Sequence, residues 1–133
     1  MTGPLRAIAA LLLLAACAMP SGADVEECNT SWRGIEALVT TGATADQESI
    51  PIACMRQVDE KRISIGFELP SGPDCYELAS IGLVESADAV ELTLFVSVVD
   101  DIGGSCSPEP VRFVTEMDLQ SPVGDRALLD GSR

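Results

Sequence analysis

Five thiols are the most reactive side chains of this chain: Cys17, Cys28, Cys54, Cys75 and Cys106. A thiolate can be alkylated, hold a metal or pair into a disulfide, and its surroundings decide which. Histidine is absent, so a Ser-His-Asp engine, a Cys-His engine and a His-built zinc site are all ruled out. Carboxylates supply the other chemistry. Asp and Glu number 21 against 8 Lys and Arg, a net charge of −13 over 133 residues. Nucleic-acid binding needs the reverse balance, because Lys and Arg must displace phosphate counterions. No nucleic-acid partner is expected.

Cys17 sits in different surroundings from the other four. Residues 1–16 read MTGPLRAIAALLLLAA, a short stretch carrying Arg6 and the α-amine followed by an uncharged Ala/Leu/Ile run. That is the pattern of a secretory signal peptide. A membrane span needs roughly 20 apolar residues, and Met19-Pro20-Ser21-Gly22 ends this run too early.

Leu14-Ala15-Ala16-Cys17 resembles the lipobox of bacterial lipoproteins. The resemblance implies that a diacylglycerol is joined to the Cys17 thiol, the Ala16-Cys17 bond is cut and Cys17 becomes the N-terminus. Only a thiol is nucleophilic enough near neutral pH to form that thioether. The alternative is an ordinary signal peptide with Cys17 incidental. Two or more acyl chains anchor stably where one does not, each buried CH₂ adding roughly 0.8 kcal/mol. The expected location is therefore outside the cell, with a lipid holding the chain to the outer face of the cell membrane or to the envelope. Ala18 in place of Asp gives no sign of inner-membrane retention, by analogy with the sorting of such lipoproteins. Seven Arg to one Lys, with abundant Ala and Gly, suggests a GC-rich, actinobacterial type of genome.

Processing changes the cysteine arithmetic. Cys28, Cys54, Cys75 and Cys106 remain, an even number in a disulfide-permissive compartment. Four cysteines allow three connectivities. Cys75 and Cys106 bracket a long apolar strand pair, which favours Cys75–Cys106 and leaves Cys28–Cys54. Each bridge closes a loop of 26 or 31 residues and contributes about 3 kcal/mol on the chain-entropy model. A Cys₄ metal site or a redox dithiol lacks the CxxC spacing such sites use.

The elements that must position these thiols are read from periodicity. Residues 1–16 are the signal peptide, 17–24 a Pro/Ser/Gly tether and 25–133 one domain. Ile35-Glu36-Ala37-Leu38-Val39 fits one helical turn or a short strand. Ile50, Ile52 and Cys54 alternate, and Gln57-Val58-Asp59-Glu60-Lys61 has the composition of a turn. Ile63, Ile65, Phe67 and Leu69 share one face at period two. Tyr76 to Glu85 is a strand whose phase slips near Ala79-Ser80, the sign of a bulge. Val90, Leu92, Leu94, Val96 and Val98 form the next stripe, and Val111, Phe113, Thr115, Met117 and Leu119 the last. Pro122 to Gly131 reads as a tail. Gly/Pro/Asp turns between these runs predict a mainly β fold, a small antiparallel sandwich or open barrel of five to six strands, stapled by disulfides.

Cys75, the Glu85-x-x-Asp88 turn, Cys106, and Ser121-Pro122-Val123-Gly124-Asp125-Arg126 followed by Asp130-Gly131 are similar to a group of small, uncharacterised actinobacterial exported proteins. That resemblance covers under half the chain and implies no activity.

The remaining candidates each have a plainer explanation. Asp100 and Asp101 beside Gly103-Gly104 could offer Ca²⁺ its six to eight oxygens, but no EF-hand pattern is present and a solvated acidic loop explains them equally. Paired carboxylates for glycoside hydrolysis arise by chance among so many acids. Lys61, the only lysine, lacks the Ser-x-x-Lys context of a nucleophile pair. Asn29-Thr30-Ser31 matches a sequon but serves equally as a turn. Trp32 is a core residue by default, or else an anchor for a ligand or partner. The acidic surface keeps a tethered domain soluble or attracts a basic partner.

The expected function is that of an exported, lipid-anchored, non-enzymatic interaction or structural module of the envelope, with no cofactor. Its expected contacts are the membrane through Cys17 and an envelope protein. The alternative is a small-ligand or metal-ion binding lipoprotein.

Overall fold

The computed structural model describes residues 22–40, 46–72, 75–99, 106 and 109–132. Residues 1–16, Cys17 and the Asp100, Asp101, Gly103 and Gly104 loop lie outside these. The described chain is mainly β and contains no helix. Its strands are β1 (Ala23–Asp24), β2 (Ile35–Glu36), β3 (Gln47–Ile50), β4 (Cys54–Asp59), β5 (Arg62–Leu69), β6 (Tyr76–Glu85), β7 (Ala89–Val98), β8 (Val111–Asp118) and β9 (Ala127–Asp130).

Two curled sheets enclose one core. In the first, β7 is central. It pairs with β6 along one edge, while β9 and β3 share the other edge end to end, and β1 adds to β9. The second runs β2-β8-β5-β4. Pairings are antiparallel except β7 with β9 and β2 with β8.

The alternating stripes face inward as expected. Ile63, Ile65, Phe67, Val90, Leu92 and Leu94 are fully buried, and Phe67 stacks on Phe113 with ring centroids 5.4 Å apart. Period-two patterning places one side of each strand in the core. The bulge falls where the phase slips: Leu78 pairs with Val96 and Ser80 with Phe95, leaving Ala79 as the extra residue.

Three expectations are corrected. The expected turn over 57–61 shrinks to Glu60-Lys61, because β4 continues to Asp59 with a register shift after Gln57. Asp59 accepts the Lys61 N–H at 3.0 Å and makes that tight reversal self-sufficient. The alternating run Ile50-Ile52-Cys54 is not one strand. At Pro51, which has no N–H for a ladder, the chain leaves β3 in one sheet and enters β4 in the other.

The expected tail ends as a strand, with β9 lying parallel to β7 and Asp130 buried at its end. Asp130 Oδ2 accepts the Ile52 N–H at 2.9 Å, and Oδ1 accepts the N–H and hydroxyl of Ser132 at 2.9 and 2.7 Å. The carboxylate thus fixes the crossover between the sheets.

Residues 22–40 form a belt. Ala23–Asp24, which the sequence places in the tether, pair with β9. Glu26 and Cys28 then bond to Met55 along the β4 edge. The chain passes over the outer face of the second sheet, and Ile35–Glu36 run parallel to β8. Thr40 donates to the Leu78 carbonyl of β6 at 2.9 Å. The segment that fitted either a helical turn or a strand is a strand because the exposed β8 edge needs partners.

Both bridges form with the favoured connectivity, Cys28–Cys54 and Cys75–Cys106, their Cα atoms 4.8 and 5.7 Å apart. The first fastens the belt to β4.

Replacing Asp130 with Ala strands the buried Ile52 N–H and removes charge-assisted bonds. Urea unfolding of Asp130→Ala should show a loss of about 2–4 kcal/mol. A change under about 0.5 kcal/mol, the range of an ordinary surface substitution, would deny the carboxylate this role.

Candidate functional site

Trp32 is not a core residue, which corrects the default reading. It lies half-buried on the outer face of the β4-β5-β8 sheet, directly over Gly66. A Cβ at Gly66 would stand 2.6 Å from Trp32 Nε1 and 2.6 Å from Cys54 Sγ. Glycine is therefore required for close approach, which is one meaning of a Gly inside a strand. The Arg112 guanidinium covers the ring from above, 4.7 Å from its centroid, and reaches Glu68 at 3.8 Å. This cover explains why Ser64 and Gly66 are buried although they face away from the core.

The turn that delivers Trp32 is built by Asn29, whose Oδ1 accepts the Ser31 N–H at 3.1 Å and its hydroxyl at 2.6 Å. The sequon asparagine thus acts as a turn former. Beside the indole lies an open hollow of about 410 Å³, lined in part by Asn29, Trp32, Arg33, Arg56, Ser64 and Glu116. Arg56, Ser64 and Glu116 form one cross-strand row.

At another place a cleft of about 270 Å³ opens between the sheets. Phe67, Leu69, Leu78 and Phe113 line it together with Tyr76, Val99 and the belt residues Glu36, Ala37, Leu38 and Thr40. Leu38 stays 75% exposed here, the belt residues Ile35 and Val39 near it in the chain are exposed too, and Val98 is exposed across from Tyr76.

The Glu85-x-x-Asp88 and Ser121-to-Arg126 segments come together as a clip. Arg126 Nη2 donates to Glu85 Oε1 at 3.0 Å and to the carbonyls of Ser121 and Pro122 at 2.9 and 2.8 Å. Its side chain is 10% exposed. Glu85 Oε2 accepts the Gln120 N–H at 3.0 Å, and the Ala127 N–H bonds the Asp88 carbonyl. Gly124, at φ 53°, makes the turn between them. The residues that carry the exported-protein resemblance are here a structural fastening.

Lys61 is exposed in its hairpin. Arg33, Arg56 and Arg112 escaped sequence reading, since strand register places Arg56 and Arg112 on this face and the belt brings Arg33 to it. The one local sign was Gly66 within an otherwise alternating strand. No family model, curated protein or solved structure matches the chain.

Two outcomes follow. In Gly66→Ala the methyl collides with a disulfide sulfur and the indole, so stability should fall by about 1–3 kcal/mol. Trp32 emission should shift to the red as the ring lifts. Wild-type stability with unshifted emission would sink the close-packing argument.

The backbone N–H of Gln120, with Arg126 behind it, holds the Glu85 carboxyl below its usual range. A depressed folded pKa adds stability above the unfolded value and loses it as pH falls through the folded one. The melting temperature of wild type should therefore exceed that of Glu85→Gln at neutral pH, with the gap closing below about pH 4. A gap independent of pH would refute the assignment.

Proposed function

We propose that this chain is an exported, lipid-anchored cell-envelope protein that works as a non-enzymatic interaction module. The lipobox-like Leu14-Ala15-Ala16-Cys17 carries the reading. Removing residues 1–16 leaves seven cations against 21 acids and four other cysteines. Those four pair completely into two bridges, as an oxidising compartment favours.

The anchor would sit close to the folded unit. Five residues separate Cys17 from Ala23, the first residue of β1, a reach of at most about 20 Å. The start of the belt would therefore lie within that distance of the lipid surface. Leu38 exposes apolar surface in this cleft, the exposed Ile35, Val39 and Val98 are chain neighbours of residues that line it, and apolar patches on soluble domains mark contact with another protein.

A small ligand is the alternative occupant of the same cleft. At about 270 Å³ it falls just under the roughly 300–1,000 Å³ typical of ligand pockets, and its rim of exposed side chains suits a protein surface better.

Cys17→Ser tests the anchor. Detergent-phase partitioning and the acyl mass on the N-terminal peptide should both disappear, whereas an unmodified N-terminus elsewhere in the wild-type protein would overturn the claim. In the same intact cells, Leu38→Asp should reduce crosslinking to an envelope protein partner severalfold. Undiminished crosslinking would remove this patch from the interface.

A further inference from the structure

Arginine is concentrated on one face of this acidic molecule. Of the six cations among the described residues, four (Arg33, Arg56, Arg62 and Arg112) lie on the outer side of the β4-β5-β8 sheet or against it. Two are neutralised locally. Arg62 reaches Asp118 at 2.9 Å and Glu116 at 3.9 Å, and Arg112 reaches Glu68 while covering Trp32. Arg33 and Arg56 have no ion-pair partner among the described residues. Both line the hollow of about 410 Å³ beside Trp32.

In a chain with 21 carboxylates, two guanidinium groups with no ion-pair partner among the described residues share one concavity. Like charges brought together repel unless an anion lies between them. The rest of the lining supplies hydrogen-bond donors from Asn29 and Ser64, with Glu116 the single carboxylate. Glu116 is drawn toward Arg62 on the next row. The guanidinium fork presents paired N–H donors that match the oxygens of phosphate, and two such groups balance a dianion.

We propose that the hollow bounded by Trp32, Arg33 and Arg56 binds a phosphate group, either as a soluble phosphate or in an anionic lipid headgroup. The site belongs to the folded domain and needs no anchor on Cys17, so it goes beyond the envelope-module reading and stands or falls separately.

Trp32 is the only tryptophan, and it borders the site, so its emission reports occupancy directly. The full chain in low salt is titrated with inorganic phosphate, and separately with phosphatidylglycerol and phosphatidylcholine vesicles. A saturable emission change is expected with phosphate, with phosphatidylglycerol, or with both. Phosphate alone identifies a soluble ligand, and phosphatidylglycerol alone identifies a headgroup. Arg33→Gln and Arg56→Gln should each raise the Kd at least about tenfold, the usual loss for a hydrogen bond to a charged group. Glu116→Gln should lower it, and Lys61→Gln, altering a cation outside the hollow, should leave it unchanged.

Three results would overturn the proposal. They are no emission change in any arm, an equal loss in Lys61→Gln, or tighter binding of succinate than of phosphate. Urea midpoints of the arginine variants, whose side chains are exposed, should match wild type, so lost binding cannot be attributed to unfolding.

Discussion

An open pair of β-sheets leaves unpaired N–H and C=O groups along every outer strand, and those edges invite pairing with other chains. In this molecule the belt of residues 22–40 meets four of the outer strands, β9, β6, β4 and β8. Pairing with the belt is short at every stop, two residues at β9 and two at β8. Its hold comes from being fastened midway, by Cys28–Cys54 and by the indole of Trp32 seated on Gly66. Much of the second sheet's outer face follows from that seat. Ser64 and Gly66 are buried, Arg112 stacks on the ring, and the arginine hollow forms at its rim.

The core was legible because side-chain alternation is a local property. Ile63, Ile65, Phe67 and Leu69 declare a buried face without reference to anything else in the chain, and the phase slip at Ala79 declares its own bulge. The disulfide pairing was legible for a related reason, since Cys75 and Cys106 flank strands that must lie side by side. The strand β9 was not legible. Ala127-Leu128-Leu129-Asp130 is four residues long with no alternation, and it is a strand because β7 offers it an edge. Long-range pairing overrides local preference wherever a segment is this short.

The outer face of the second sheet shows the same limit from another side. Arg56, Ser64 and Glu116 are scattered through the sequence, and only the registers of β4 with β5 and of β5 with β8 set them in one row. Trp32 had two readings because a lone aromatic in a loop carries no period. Gly66 was the available hint, since a glycine inside a strand marks close approach by something else. The segment from Ser121 to Arg126 carries a resemblance in sequence and no local sign of its physical role. Its physical meaning emerged only when Arg126 met Glu85 across the molecule.

Were a lipid to anchor the chain at Cys17, as proposed, the belt would also be the path along which force enters the domain. Tension arriving at Gly22 first meets the two-residue pairing of β1 with β9, whose few hydrogen bonds are worth about 1 kcal/mol each. That pairing and the contacts of Glu26 can peel one after another. Peeling stops at Cys28, where the chain is joined covalently to β4. From Cys28 onward the load passes into a strand that shares a full register with β5 and thence with β8, and these ladders must shear together instead of opening singly. Trp32 and the hollow lie on the protected side of that bond. A domain tied to a moving surface can thus lose its first few residues to fluctuation while the face carrying Arg33 and Arg56 keeps its geometry.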